Sequence, residues 1–483
     1  MPSYKKFTKD VGLVGITELA IALKGLIVMP IITKLLGPQN FGVWSQLVVT
    51  IALIAPLATL GLPYAMVRFL AAEKNKDKFR DGVWSVVAIV FCVALAVCLL
   101  IAAFSTPIAK FFGGDQILVQ ILALAIVIEC LNQVLFNVFR TLQEIGRYSF
   151  FTALQVFGEV GLVSSLILSG NGLTGATFSL LAIRLVVFII MGTTIIFKIG
   201  IKLPAFTQLK DYLFFSLPNL ISGIAFWIVQ SSNRYLIGFF SGAIAVGYFV
   251  PAYTIGNIIA LFFAPLSFIL PAILSKLYDE NKIDAVKFYL KYSLKYFLAI
   301  AIPAIVGLSS LSRQLLEIFS TAEIADKAYY VVLPVAIGTA FYGIYNIFVQ
   351  ILVLCKQTKA VGAIWSKAAL LSLVASLLFI PRFGIMGAAT ALLAAFTYSL
   401  IATGKLAFEN FRFDIDGLFI IKSLASSALM TPLIFWLDPS GLLDTVATIA
   451  LGAAAYFISI FLMRGFDKKE ISFLKTLIIE QAS

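Results

Sequence analysis

Histidine is absent from this sequence. Its absence removes histidine acid/base catalysis, Ser-His-Asp triads and the usual zinc sites together. The four cysteines, Cys92, Cys98, Cys130 and Cys355, form no CxxC pair. They lie within or beside apolar runs, where cysteine serves as a small apolar filler. No GxxxxGK[ST] run is present, so ATP hydrolysis by this chain is not expected. Charge is scarce as well, at 12% of residues against roughly 25% in soluble domains. With 61% apolar residues and a mean hydropathy of +1.02, the chain reads as an all-α polytopic membrane protein. No connector is long enough for a soluble domain, so the function is expected within the membrane. We expect no catalytic residue, no metal site and no bound cofactor.

What is present is a series of apolar runs, each near the roughly 20 residues that a helix needs to cross a bilayer. Fourteen candidate spans follow one another: 11–36, 43–66, 83–104, 117–139, 150–169, 174–197, 216–239, 245–273, 293–311, 328–354, 361–380, 384–404, 418–437 and 443–463. The first is too long and too polar for a cleaved signal and is expected to stay as a span. Basic residues test the topology. Of 36, 27 fall in the two terminal segments and in alternate connectors, while the other connectors hold only Lys110, Arg313, Lys327 and Arg382. By the positive-inside bias both termini are then cytoplasmic. The net charge of +12 faces anionic lipid, and a nucleic-acid partner is not required.

An internal repeat relates spans one and two to spans seven and eight. Ile32-Thr33-Lys34-Leu35-Leu36-Gly37 followed by Phe41-Gly42-Val43-Trp44 resembles Ser232-Asn233-Arg234-Tyr235-Leu236-Ile237-Gly238 followed by Val246-Gly247-Tyr248-Phe249. Parallel repeats of six helices are a transporter device with the substrate between the halves. The expected plan is an N-lobe over 1–204, a C-lobe over 205–410, and two further helices with a basic tail over 411–483. The two six-helix lobes would be pseudo-symmetric about a central cavity.

Polar residues recur at helical spacing inside the spans. Glu129, Gln133, Asn137 and Arg140 share one helix face, and so do Thr152, Gln155 and Glu159. Asn219, Gln230 and Asn233 fall on a further stripe. Lipid cannot satisfy such groups, so they face protein or water; asparagine and glutamine also join helices by hydrogen bonds. Five cations lie within spans or at their edges: Lys24, Lys34, Arg184, Arg234 and Lys367. Lys34, Arg234 and Lys367 can snorkel to headgroups. Lys24 and Arg184 sit mid-span, where a cation costs about 2.5–3.5 kcal/mol to insert. All five belong to the two expected lobes, which suggests a cationic cavity for an anionic substrate. Glu18, Glu129 and Glu159 could be salt-bridge partners, protonated structural acids or proton carriers.

Several segments carry a family resemblance. The helix that ends Pro30-x-x-Thr33-Lys34-Leu35-Leu36-Gly37-Pro38, and the Phe41-Gly42 turn, resemble the start of polysaccharide exporters and lipid-linked oligosaccharide flippases. These form the Wzx-like branch of the MOP (multidrug/oligosaccharidyl-lipid/polysaccharide) superfamily. Ser216-Leu217-Pro218, Ser232–Gly238 and Gly384-x-x-Gly387-Ala388-Ala389 are similar to that family's later segments. Family members often carry aspartate before the span-seven arginine, where this chain has Asn233. The resemblance implies an alternating-access flippase. It would move a polyprenyl-phosphate-linked glycan, of the pyrophosphate type, from the cytoplasmic to the outer leaflet of a prokaryotic plasma membrane. It also implies coupling to a gradient of H+ or Na+, with glycan-assembly enzymes as neighbours. A multidrug or cation antiporter, or another lipid translocase of the same superfamily, is the alternative. An antiporter of cations would call for a cavity dominated by acids.

Overall fold

The computed structural model describes residues 4–466, with side chains for all of these except 4–11, 14, 16, 18, 218, 219, 221 and 222. The regular elements in this range are helical: α1 (Tyr4–Ala58), α2 (Leu62–Leu70), α3 (Lys76–Ala103), α4 (Ser105–Phe112), α5 (Gln116–Thr141), α6 (Ile145–Leu168), α7 (Gly172–Ile199) and α8 (Leu209–Gly256). They continue with α9 (Ala260–Asp279), α10 (Ile283–Ser310), α11 (Ser312–Phe319), α12 (Ala322–Ala328), α13 (Val332–Leu354), α14 (Thr358–Asn410), α15 (Gly417–Leu437) and α16 (Leu442–Leu462). Eleven helical stretches among the described residues are long and apolar enough to cross a membrane. Three of them are interrupted by a non-helical glycine, at Gly37, Gly242 and Gly384, and each of those holds two segments. Fourteen apolar segments result, the number expected from the apolar runs.

Gly37 (φ 80°, ψ 175°) and Gly242 (φ 79°, ψ 172°) adopt almost the same left-handed conformation, which an L side chain rarely takes. They lie 205 residues apart and mark the same point of the repeat. This corrects the register read from sequence, which matched Gly37 with Gly238. The pairing of Phe41-Gly42 with Val246-Gly247 already has the 205-residue offset. The preceding half is displaced by four residues, one helical turn, at the glycine and by five at the cation, so Arg234 is not the counterpart of Lys34. A second repeat, unnoticed in the sequence, opens spans six and twelve: Gly172 and Gly384 both have φ 55° and both precede x-x-Gly-Ala. A further correction concerns the second span. The expected helix 43–66 stops at Ala58, because Leu60 (φ 53°) and Gly61 (φ 68°) are left-handed, and Pro63 in the next turn donates no N–H.

Close contacts divide the chain into two compact units, Met1–Val250 with Leu373–Ala388, and Pro251–Ser372 with Ala389–Ser483. In the first, α5 is the most enclosed of the long helices and is packed by α1, α2, α3 and α7. Its buried positions include the small residues Ala123, Ala125 and Cys130, which let neighbouring backbones approach where lipid supplies no hydrophobic drive. In the second unit α13 is similarly enclosed, between α9 and α10. There α15 and α16 pair with each other and pack on α10, with Tyr456 bonded to Ser423 at 2.8 Å. Lys295 of α10, buried against Phe419, pairs with Asp416 at 3.3 Å.

Candidate functional site

A cavity of about 1100 Å³ lies inside the first unit. Its walls come from both halves of α1, from α2, α5, α6 and α7, and from the first half of α8. Pro63, Arg140, Tyr148 and Phe215 surround one end, and no residue of 32–50 or 232–250 reaches it. The polar lining follows from helical periodicity. Glu129, Gln133, Asn137 and Arg140 project from one face of α5, and Tyr148, Thr152, Gln155 and Glu159 from one face of α6.

Four charged side chains in this lining form one network. Lys24 Nζ lies 2.9 Å from Glu159 Oε1. Arg184 spans both acids: its Nε donates to Glu129 Oε2 at 2.8 Å and its Nη1 to Glu159 Oε2 at 3.5 Å. The same Nη1 donates to the Leu180 carbonyl at 3.0 Å, and Gln155 Nε2 reaches Glu129 Oε2 at 3.4 Å. Glu159 and Arg184 are buried, at 2% and 6% exposure. Charges that deep persist only when paired and hydrogen-bonded. The backbone of α7 is tied to α5 at this level, since Asn132 Nδ2 donates to the Arg184 carbonyl at 2.9 Å.

Arg140 adds a fifth charge. Its Nη1 donates to Asn137 Oδ1 at 3.2 Å, and its guanidinium lies 5.9 Å from the Tyr148 ring centre. It makes no carboxylate pair among the described residues. With Glu129 and Glu159 ionised, three cations face two carboxylates among the described residues of the lining. Gln155 Oε1 and Trp227 Nε1 are buried at the cavity wall with no hydrogen-bond partner among the described residues.

Past the charged layer, the two kinked helices α1 and α8 cross. A methyl group on Gly42 would overlap the Ala243 carbonyl, and one on Gly247 would overlap the Pro38 carbonyl. The two contacts are reciprocal under the 205-residue repeat. Only glycine permits backbones this close. Beside the crossing, the Thr50 and Tyr235 hydroxyls are 2.7 Å apart, and the side-chain amides of Gln46 and Asn233 are buried without partners among the described residues.

These features place a charged cavity within a bundle of apolar helices of repeated design. The family model described as "Polysaccharide biosynthesis protein" matches residues 7–277, more than half of the chain. The chain belongs to this family. As a polysaccharide biosynthesis protein it has a relative in Haloferax volcanii, the probable low-salt glycan biosynthesis flippase Agl15. The two are 23% identical over 367 residues, or 76% of each chain. Its fold is similar to that of the lipid II flippase MurJ in an inward closed conformation. That match has a TM-score of 0.78 at 18% identity and covers 93% of this chain and 98% of the other. An inward-facing multidrug resistance transporter of the MATE family in the MOP superfamily matches with a TM-score of 0.68 at 15% identity, over 81% of this chain and 94% of the other. The likeness of the opening helix to polysaccharide exporters agrees with the family model, and the fold is shared with these solved transporters.

Within this polysaccharide biosynthesis protein the residues singled out from sequence separate into groups. Lys24, Arg184, Glu129, Glu159, Gln155 and Gln230 line the cavity. Arg234 is half-buried on α8 and Asn233 is buried, and neither reaches the lining. Lys34 is exposed on α1, and Lys367 is exposed on α14 in the second unit. The side chains of Glu18 and Asn219, and the basic tail beyond residue 466, lie outside the described residues. Arg140 was visible as the last member of the α5 stripe but counted as a connector charge, because it stands at the helix end. Gln46, alone in an apolar run, gave no periodic signal.

Proposed function

We propose that this chain is a flippase for a lipid-linked glycan precursor, and that the phosphate group of the lipid carrier enters the cavity of the first unit. It is a multi-pass membrane transporter and not an enzyme. The observation that carries the reading is the lining itself: Lys24, Arg140 and Arg184 against Glu129 and Glu159, inside apolar helices. A lining whose described charged residues are three cations and two acids suits a phosphate or diphosphate, for which arginine offers paired donors. Gln155 Oε1 and Trp227 Nε1 add an acceptor and a donor for the sugar. Both acids already have cation partners, which weighs against a cationic drug as substrate.

The direction proposed is cytoplasmic to outer leaflet of a prokaryotic plasma membrane, with both termini cytoplasmic, on the strength of the basic-residue alternation. Alternating access would be exerted by the two lobes 1–204 and 205–410. Coupling to H+ or Na+ would act through Glu129 and Glu159, because a proton or sodium ion on either carboxylate loosens its hold on Lys24 or Arg184 and frees that cation for phosphate. Glycan-assembly enzymes are the expected neighbours.

The test is translocation of undecaprenyl diphosphate-linked sugar in proteoliposomes. Arg140→Gln is expected to slow it about tenfold or more, since a hydrogen bond to a charged group is worth roughly 1.5–3 kcal/mol, while the unfolding temperature stays unchanged. Wild-type translocation by Arg140→Gln and by Lys24→Ala together would remove the reading.

A further inference from the structure

The first unit holds a second concavity, of about 570 Å³, whose wall is almost wholly apolar. Phe104 and Phe111, 60% and 40% exposed, form its outer rim around α4, and Leu53 of α1 lies at its inner end. The only hydroxyls in the wall are those of Thr50 and Tyr235, and both are spent. Thr50 Oγ1 donates to the Gln46 carbonyl at 2.6 Å, so Tyr235 must donate its own proton to Thr50 Oγ1. Among the described residues the groove therefore offers a ligand no free hydroxyl donor.

It adjoins the charged cavity. Leu53 lines both concavities. Trp227, in the cavity wall, has its ring 5.8 Å from that of Tyr235, in the groove wall. Leu53 and the Trp227–Tyr235 pair thus stand between a charged chamber and an apolar trough.

We propose that this groove receives the polyprenyl chain of the same lipid whose phosphate enters the cavity. The proposal rests on the flippase reading. An amphiphile with its head among Lys24, Arg140 and Arg184 must lead its tail out of a polar chamber. The groove is an apolar concavity that shares Leu53 with the chamber, and the two hydroxyls in its wall are bonded to each other. An ordinary phospholipid chain fits the same surface chemically. Only a chain joined to a cavity-bound head is held there at high effective concentration. Groove occupancy by the polyprenyl chain thus depends on the cavity, and occupancy by bulk lipid does not.

The experiment places photoreactive p-benzoylphenylalanine at Phe104 or Phe111, with Leu99 as the control. Leu99 is an exposed apolar residue of α3 outside the groove. The full chain is reconstituted in phosphatidylethanolamine/phosphatidylglycerol vesicles containing radiolabelled undecaprenyl diphosphate. Equilibrium binding of the same probe is measured alongside. Labelling at 104 and 111 is expected to exceed that at 99 several-fold, to fall with excess unlabelled undecaprenyl diphosphate or with Arg140→Gln, and to withstand excess phosphatidylglycerol. Equal labelling at all three positions, or labelling that phosphatidylglycerol removes equally well, overturns the proposal and leaves an annular lipid in the groove. Saturable, Arg140-dependent binding without groove labelling overturns the tail site and keeps the flippase reading. Absence of saturable binding overturns both.

Discussion

Arg184 holds Glu129 and Glu159 at once, and Lys24 completes the set from another helix. The pairing lets four charges remain at mid-span in otherwise apolar helices. It also gives the residues different weights. Arg184 is almost wholly buried, and removing one partner of such a pair leaves an uncompensated charge at a cost of roughly 3–5 kcal/mol. Arg184→Ala is therefore expected to lower both the thermal unfolding midpoint in detergent and the yield of folded protein. Lys24 is partly exposed to the cavity, so Lys24→Ala is expected to impair translocation with a much smaller change in the midpoint. A double-mutant cycle of Lys24→Gln and Glu159→Gln should show coupling within the range of about 0.5–3 kcal/mol found for residues in contact. Additive effects would mean that the pair seen at 2.9 Å contributes nothing measurable.

At the scale of elements, the reciprocal crossing of α1 and α8 bounds the site. Its tolerance to substitution should follow geometry. At Gly42 and Gly247 a methyl group meets backbone carbonyls, which cannot rotate aside. At Gly37 the space is open and only the nearly glycine-specific backbone conformation resists a side chain, a strain of roughly 1–3 kcal/mol. Gly42→Ala and Gly247→Ala should thus lower the unfolding midpoint more than Gly37→Ala does, and should do so to similar degrees because the repeat makes their surroundings alike. A larger effect at Gly37 would show that the close crossing is not what holds this layer shut. The buried amides of Gln46 and Asn233 lie in the same layer.

For the whole molecule, the orientation proposed from basic residues has a direct check. In a cysteine-free background, single cysteines replacing Lys110 or Arg313 should react with a membrane-impermeant thiol reagent in intact cells. Cysteines replacing Lys74 or Lys282 should react only after permeabilisation. The opposite pattern would invert the topology and, with it, the direction of transport.

Composition and periodicity by themselves determined that the chain is an all-α membrane protein of fourteen apolar segments, because hydrocarbon demands long apolar helices and tolerates little else. Spacing also put Glu129, Gln133, Asn137 and Arg140 on one helix face. Which acid meets which base was beyond reach of the sequence: Lys24 and Glu159 are 135 residues apart, and their pairing depends on how α1 packs against α6. The repeat was legible, but its register was not. Four residues of displacement are one helical turn and leave the apolar pattern nearly unchanged. Only the tertiary structure decided that Gly37 answers Gly242, that Lys24, Arg140 and Arg184 share one cavity with Glu129 and Glu159, and that Lys34, Arg234 and Lys367 are not among its lining residues, because each follows from contacts between helices far apart in the chain.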